Sequence, residues 1–155
     1  MITWREERQL DIPIEEAWHL FDHTRLQRLI PNVVQHEVIE RKPGVVGSTY
    51  RQTYMQGNRL ETYIVTDLAY TNEPDFKQNT IGFTLARIFK IEMTFTLKPL
   101  GPDRCLLIYT GKNEGANFVG KSLLSLGGER ENEKIVYGLL QRVEEEAAKQ
   151  KKNNA

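Results

Sequence analysis

Three tyrosines, a glutamine and a glutamate converge where two alternating segments meet across Gly57-Asn58. If those two residues form a tight turn, Gln56 stands opposite Arg59. Tyr54 then faces Glu61, Gln52 faces Tyr63 and Tyr50 faces Val65. Tyr50, Gln52, Tyr54, Glu61, Tyr63 and Val65 therefore share one face of a hairpin. Phenol and amide groups set among rings and methyls can orient one or two polar atoms of a mostly apolar molecule. The other face carries Thr49, Arg51, Thr53, Met55, Leu60, Thr62, Ile64 and Thr66, a mixture that hydrophobicity alone assigns neither to core nor to solvent.

Other reactive types form no set. Glu61 and Asp67 are candidates for general acid and base, but the sequence places no His, Lys or second carboxylate beside either, and solvated strand carboxylates are far commoner. His19, His23 and His36 lack metal-ligand spacing, because Asp22 ends the helical pattern between the first two; surface or cap roles are expected. Cys105 has no identifiable base and is expected in the core. Arg51 is expected as a solvated strand residue beside an acid. Leu126-Gly127-Gly128-Glu129-Arg130 precedes a helix but lacks the Lys and Ser/Thr of a phosphate loop. No cofactor motif is complete, and metal ligands are expected to be absent.

Composition narrows the partners. The 155 residues carry 21 basic and 21 acidic side chains, so no nucleic-acid footprint is expected. One cysteine cannot form an internal disulfide, the first residues open a charged strand, and no apolar run nears about 18 residues. A reducing cytoplasm and no membrane insertion are the expectations. Oligomeric state is not legible.

The elements that position these residues follow from periodicity. Ile135, Val136, Leu139, Leu140, Val143 and Ala147 recur at helical spacing within Glu131 to Lys152, predicting a long amphipathic helix that needs a broad apolar partner. Ile2 to Ile12 alternates as a strand with a charged middle. After Pro13 two short helices follow, Ile14 to Phe21 and one capped by Thr24 that ends at Pro31. From Val33 the period is two, in runs Val33 to Arg41, Ser48 to Met55, Arg59 to Ala69, Phe76 to Leu85, Phe89 to Leu97 and Arg104 to Gly111. Clean alternation of Ile91, Met93, Phe95 and Leu97 against Glu92, Thr94, Thr96 and Lys98 marks an inner wall. A further helical piece is expected over Phe118 to Leu126, then a break at Gly127-Gly128.

This order of strand, two short helices, six-stranded meander and long helix resembles the helix-grip architecture of the START-like (SRPBCC) superfamily, which includes birch-allergen-like proteins and polyketide cyclases/dehydrases. Ile12-Pro13-Ile14-Glu15-Glu16-Ala17-Trp18, with Phe21 and Asp22, is similar to its opening phrase. Pro31-Asn32-Val33, Val46-Gly47-Ser48-Thr49-Tyr50, and Val65-Thr66-Asp67 followed by Glu73-Pro74 resemble its later strand boundaries. The resemblance implies an α+β helix-grip fold: a seven-stranded curved antiparallel sheet, two short helices, and a long C-terminal helix over the concave face. It implies one domain over residues 1–152, with 153–155 as a disordered tail.

The resemblance also puts Tyr50, Gln52, Tyr54 and Tyr63 on the concave side. With Met93 and Phe95 from the wall and Leu139 from the helix, these are the candidate ligand-binding residues. The expected function is non-catalytic binding or transport of a small hydrophobic molecule, with the helix and Gly127-Gly128 as a lid. A cyclase/dehydrase-like enzyme using tyrosine protons is the alternative. A protein-interaction module such as a chaperone activator is the third, for which an exposed apolar patch would be the sign.

Overall fold

Alternation of period two becomes one antiparallel sheet, and the helical stripe of the last third lies against it. In the computed structural model the described residues are 1–117, 120, 122 and 127–155. The chain runs β1 (Ile2–Leu10), α1 (Ile14–His19), a 3-10 turn (His23–Arg25), α2 (Leu26–Leu29), β2 (Val33–Glu40), β3 (Thr49–Gln56), β4 (Arg59–Glu73), β5 (Phe76–Leu85), β6 (Phe89–Gly101), β7 (Arg104–Gly115) and α3 (Glu129–Asn153). The seven strands are ordered β1-β7-β6-β5-β4-β3-β2, each antiparallel to its neighbours. The expected architecture, a curved sheet with two short helices and one long one, is the one observed.

Several boundaries move. β4 and β6 run beyond their expected ends because the hairpin ladders continue to the turns themselves: Glu73 pairs with Phe76 across Pro74-Asp75, and Gly101 with Arg104 across Pro102-Asp103. β7 runs on to Gly115 because it keeps pairing with the start of β6, Gly115 opposite Phe89. Thr24 lies within the 3-10 turn and Arg25 holds the N-cap position of α2, so Thr24 does not serve as the expected cap. The helical piece expected over Phe118 to Leu126 lies, but for Gly120 and Ser122, outside the described residues.

The main core joins α1, α2 and α3 to the β1-β7-β6 half of the sheet. Leu10, Ile12, Trp18, Leu97, Leu107, Tyr109, Leu140 and Val143 are all buried there. α3 buries Val136, Leu139, Leu140, Val143 and Ala147, as its spacing implies. Ile135, expected in the same stripe, is 63% exposed; it stands about 40° beyond Leu139, past the edge of the buried arc. The charged middle of β1 has a partner in α3. Tyr137 donates to Glu6 at 3.1 Å, and Arg8 pairs with Glu144 at 3.3 Å. Farther along, Lys151 reaches Asp11 at 2.8 Å and Asn154 donates to Glu16 at 2.7 Å. The helix thereby continues through Asn153. No described helix is long and apolar enough to cross a membrane.

Candidate functional site

The site begins with the hairpin. β3 and β4 pair in the register the sequence implies, with Tyr50 opposite Val65, Gln52 opposite Tyr63 and Tyr54 opposite Glu61. Tyr50, Gln52, Tyr63 and Val65 are buried, Tyr54 and Glu61 half-buried, while Arg51, Met55, Leu60 and Ile64 on the opposite face are exposed. The tyrosine face is therefore the inner one. It forms a second apolar cluster, apart from the main core, in which Tyr54, Ile81, Phe83 and Leu85 are only partly buried against Tyr50, Tyr63 and Val65. Phe83 stacks on Tyr63 with ring centroids 4.8 Å apart.

Two hydrogen-bonded chains cross this wall. In one, His36 Nδ1 lies 2.9 Å from Gln52 Oε1, and Gln52 Nε2 donates to Tyr63 Oη at 2.7 Å. In the other, Tyr50 Oη donates to Asp67 Oδ2 at 2.8 Å, and Asn79 Nδ2 donates to Asp67 Oδ1 and to the Ala69 carbonyl, each at 3.0 Å. The chains meet where the His36 ring stacks on Tyr50, 5.2 Å between centroids and 20° between planes. His23, exposed on the 3-10 turn, stands 5.9 Å from His36 and 6.2 Å from Tyr50. His36 Nε2 is shut from solvent and has no hydrogen-bond partner among the described residues.

The electrostatics follow from this burial. Desolvation, and then the hydrogen bond and charge of Asp67, push the Tyr50 phenol up to about 12. Burial also raises Tyr63, against the opposing effect of Gln52. For His36, burial holds the imidazole below its ordinary value; the Gln52 hydrogen bond opposes this and the His23 charge adds to it.

The remaining sequence-derived candidates separate from this group. Phe95 lies in the main core between Phe21 and Tyr109, with centroids 4.7 Å from each. Leu139 is buried in the same core, and Met93 packs against it, its sulfur accepting from Tyr109 Oη at 3.0 Å. Phe95 and Leu139 are buried and Met93 half-buried. Cys105 is buried as expected, and burial raises its thiol to about 11, which leaves it no thiolate character at neutral pH. Arg51 pairs with Glu37 at 3.5 Å, both exposed.

Two expectations are corrected. Asp67, expected to be solvated, is 4% exposed because Tyr50 and Asn79 satisfy its carboxylate inside the sheet. His36, expected at the surface, faces inward beside Gln52. Asp67 had a signal in the alternation, since it continues Glu61, Tyr63, Val65; His36 had none, for Val38 two residues on is 44% exposed. Asn79 had none, since its partner is twelve residues away across a bulge between Asp67 and Ala69. Among the described residues no group of three His, Cys, Asp or Glu is arranged to hold a metal ion.

Two hollows lie away from this wall. One of about 510 Å³ opens on the outer face over Ile64, Thr66, Leu68, Gly82 and Thr84. The other, about 650 Å³, sits by the β6–β7 turn among Asp11, Pro13, Leu100, Arg104 and Lys151.

A curved antiparallel sheet gripped by a long helix is the helix-grip fold. No protein-family model and no curated protein matches the sequence. Among solved structures, the chain is similar to a START superfamily protein from Mycobacterium smegmatis, with TM-score 0.71 and 17% identity over 95% of this chain and 97% of that one. It is similar to Ara h 8.0201, with TM-score 0.63 and 17% identity over 96% and 98%. It also resembles the di-domain ARO/CYC protein BexL, with TM-score 0.67 and 12% identity over 93% of this chain and 47% of that one. At these identities the likeness establishes the fold.

Proposed function

We propose that this protein binds a small, mostly apolar molecule against the inner face of β2 to β5 and performs no chemistry on it. The observation that carries this is the second cluster: Tyr54, Ile81, Phe83 and Leu85 stand on an inner sheet face, yet the described residues cover them only in part. Apolar side chains so placed gain about 25 cal/mol per Å² when a ligand removes them from water. The hydrogen-bonded chains through Gln52 and Asp67 supply the few polar groups that orient such a ligand. A proton-transfer role for the tyrosines is disfavoured, because burial makes Tyr50 and Tyr63 weaker acids than a free phenol. We place it in the cytoplasm, where a lone thiol such as Cys105 stays reduced.

The test is native mass spectrometry of freshly purified protein, followed by extraction and analysis of the bound molecule. A stoichiometric hydrophobic passenger is expected. A saturating binder, present at about 100 times its Kd, should also raise the melting temperature by about 8 °C. An empty protein whose melting temperature no apolar compound moves would sink the proposal.

A second reading has one observation in its favour. Met55, Leu60, Ile64 and Leu68 form an exposed apolar stripe on the outer face of β3 and β4, the feature expected of a protein-interaction module such as a chaperone activator. A defined partner whose complex is lost with Ile64→Glu would support it.

A further inference from the structure

The polar end of the site has a direction. Gln52 spends its amide nitrogen on Tyr63 Oη, so the amide oxygen is the atom that meets His36 Nδ1 at 2.9 Å. A carbonyl oxygen only accepts, and the proton in that bond must therefore sit on Nδ1. In a neutral imidazole the other nitrogen then carries a lone pair and no hydrogen. His36 Nε2 is that nitrogen, and it is buried with no partner among the described residues. A buried polar atom without a hydrogen bond is destabilising unless something else satisfies it.

We infer that His36 Nε2 is the acceptor for a hydroxyl on the bound molecule, so that the site takes an apolar alcohol or phenol in preference to a ligand lacking a donor. This rests on the ligand-binding reading above and gives it a chemical class. The surroundings fit. The ring is clamped by stacking on Tyr50, which is itself fixed through Asp67 to Asn79, so Nε2 is held in orientation before a ligand arrives. Burial keeps the imidazole neutral at pH 7 and so preserves the lone pair. The apolar neighbours Tyr63, Phe83 and Ile81 take the remainder of the molecule. Exposed His23 is the solvent-side member of the three-ring group, 5.9 Å from His36 and 6.2 Å from Tyr50.

Two measurements test this. In the ligand-free protein, ring nitrogen-15 chemical shifts should show His36 as the Nδ1-protonated tautomer; an Nε2-protonated ring would overturn the inference whatever binds. In the second, 2-naphthol and its methyl ether are titrated against wild type and His36→Phe, which keeps a ring to stack on Tyr50. Wild type should prefer the naphthol by about five-fold, as one net hydrogen bond implies. His36→Phe should lose the preference and bind naphthol and ether with equal affinity, whatever its absolute affinity. Equal binding of both compounds by wild type, or a preference that survives in the variant, overturns the inference alone. Binding of neither compound by wild type removes the apolar site and the inference with it.

Discussion

Asp67 shows how a single residue changes character with its surroundings. Its carboxylate is satisfied by Tyr50 and Asn79, so Tyr50→Phe leaves Oδ2 without its donor. A loss of about 1 to 3 kcal/mol is expected, read as a lower urea midpoint at unchanged slope; a loss below about 0.5 kcal/mol would mean the bond is not formed in solution. Tyr50 also sets a limit at high pH. Its folded-state value of about 12 lies above the ordinary 10, so its contribution is whole below pH 10 and lost as the pH rises through 12. His36 acts at the other end of the scale. Its folded value lies below 6.5, so the unfolded chain binds the proton more tightly. That contribution is present above pH 6.5 and is lost as the pH falls through the folded value. Urea midpoints measured from pH 7.5 down to 5 should fall more steeply in wild type than in His36→Phe, and parallel curves would refute the assignment.

At the scale of elements, α3 is both the sheet's cover and its most firmly held neighbour. Leu139 is 4% exposed in the main core, and Leu139→Arg should cost several kcal/mol by burying a charge without a partner. Ile135→Arg, four residues earlier on the exposed flank, should change stability by no more than about 0.5 kcal/mol. Thermal melts of the pair test the facing of the whole helix, and equal effects would mean it is wrongly placed. The ties of Glu6, Arg8, Asp11 and Glu16 to α3 span its length, so lifting the whole helix as a lid would break the main core and those contacts together. Between β1 and β7 a single glycine makes room. A methyl at Gly111 would come 2.1 Å from Trp4 Cζ2, so Gly111→Ala must displace the indole. About 1 to 3 kcal/mol is the expected loss, measured by urea unfolding.

For the whole molecule, the two faces of the sheet carry different tasks. The inner face divides into a dry core beneath α3 and a partly covered wall on β2 to β5. The outer face is stitched by paired threonines, Thr53 with Thr62 at 3.0 Å and Thr80 with Thr94 at 2.7 Å, and carries the exposed stripe. The two ends of the sheet are also protected differently. β2 is an open edge, and its bulges at Val33/Gln35 and Val38/Glu40, with Glu37 and Glu40, oppose pairing with another strand. Ile64→Glu on the outer face should leave both the melting temperature and apolar-ligand binding unchanged, since it touches neither core nor inner wall. A fall in either would show that the outer face supports the site.

Whatever depends on spacing along the chain was legible before the fold was known. Alternation gave the strands, helical recurrence gave the buried stripe of Val136 to Ala147, and Gly57-Asn58 set the hairpin register that aligns Tyr50, Gln52 and Tyr63 on one side. The side chosen for those residues came from the resemblance, because a mixed face of threonines and aliphatics carries no sign of its own. Only the tertiary structure decided which polar groups lose water. Lys77 illustrates the point: a lysine in an alternating strand reads as solvated, yet it is 2% exposed beneath α1, held by Glu15 at 2.9 Å and Asn72 at 2.6 Å. His36 and Asp67 changed character for the same reason. Their partners lie 16 residues away at Gln52, 17 at Tyr50 and 12 at Asn79. Burial is a property of what the chain folds against, and no local period encodes it.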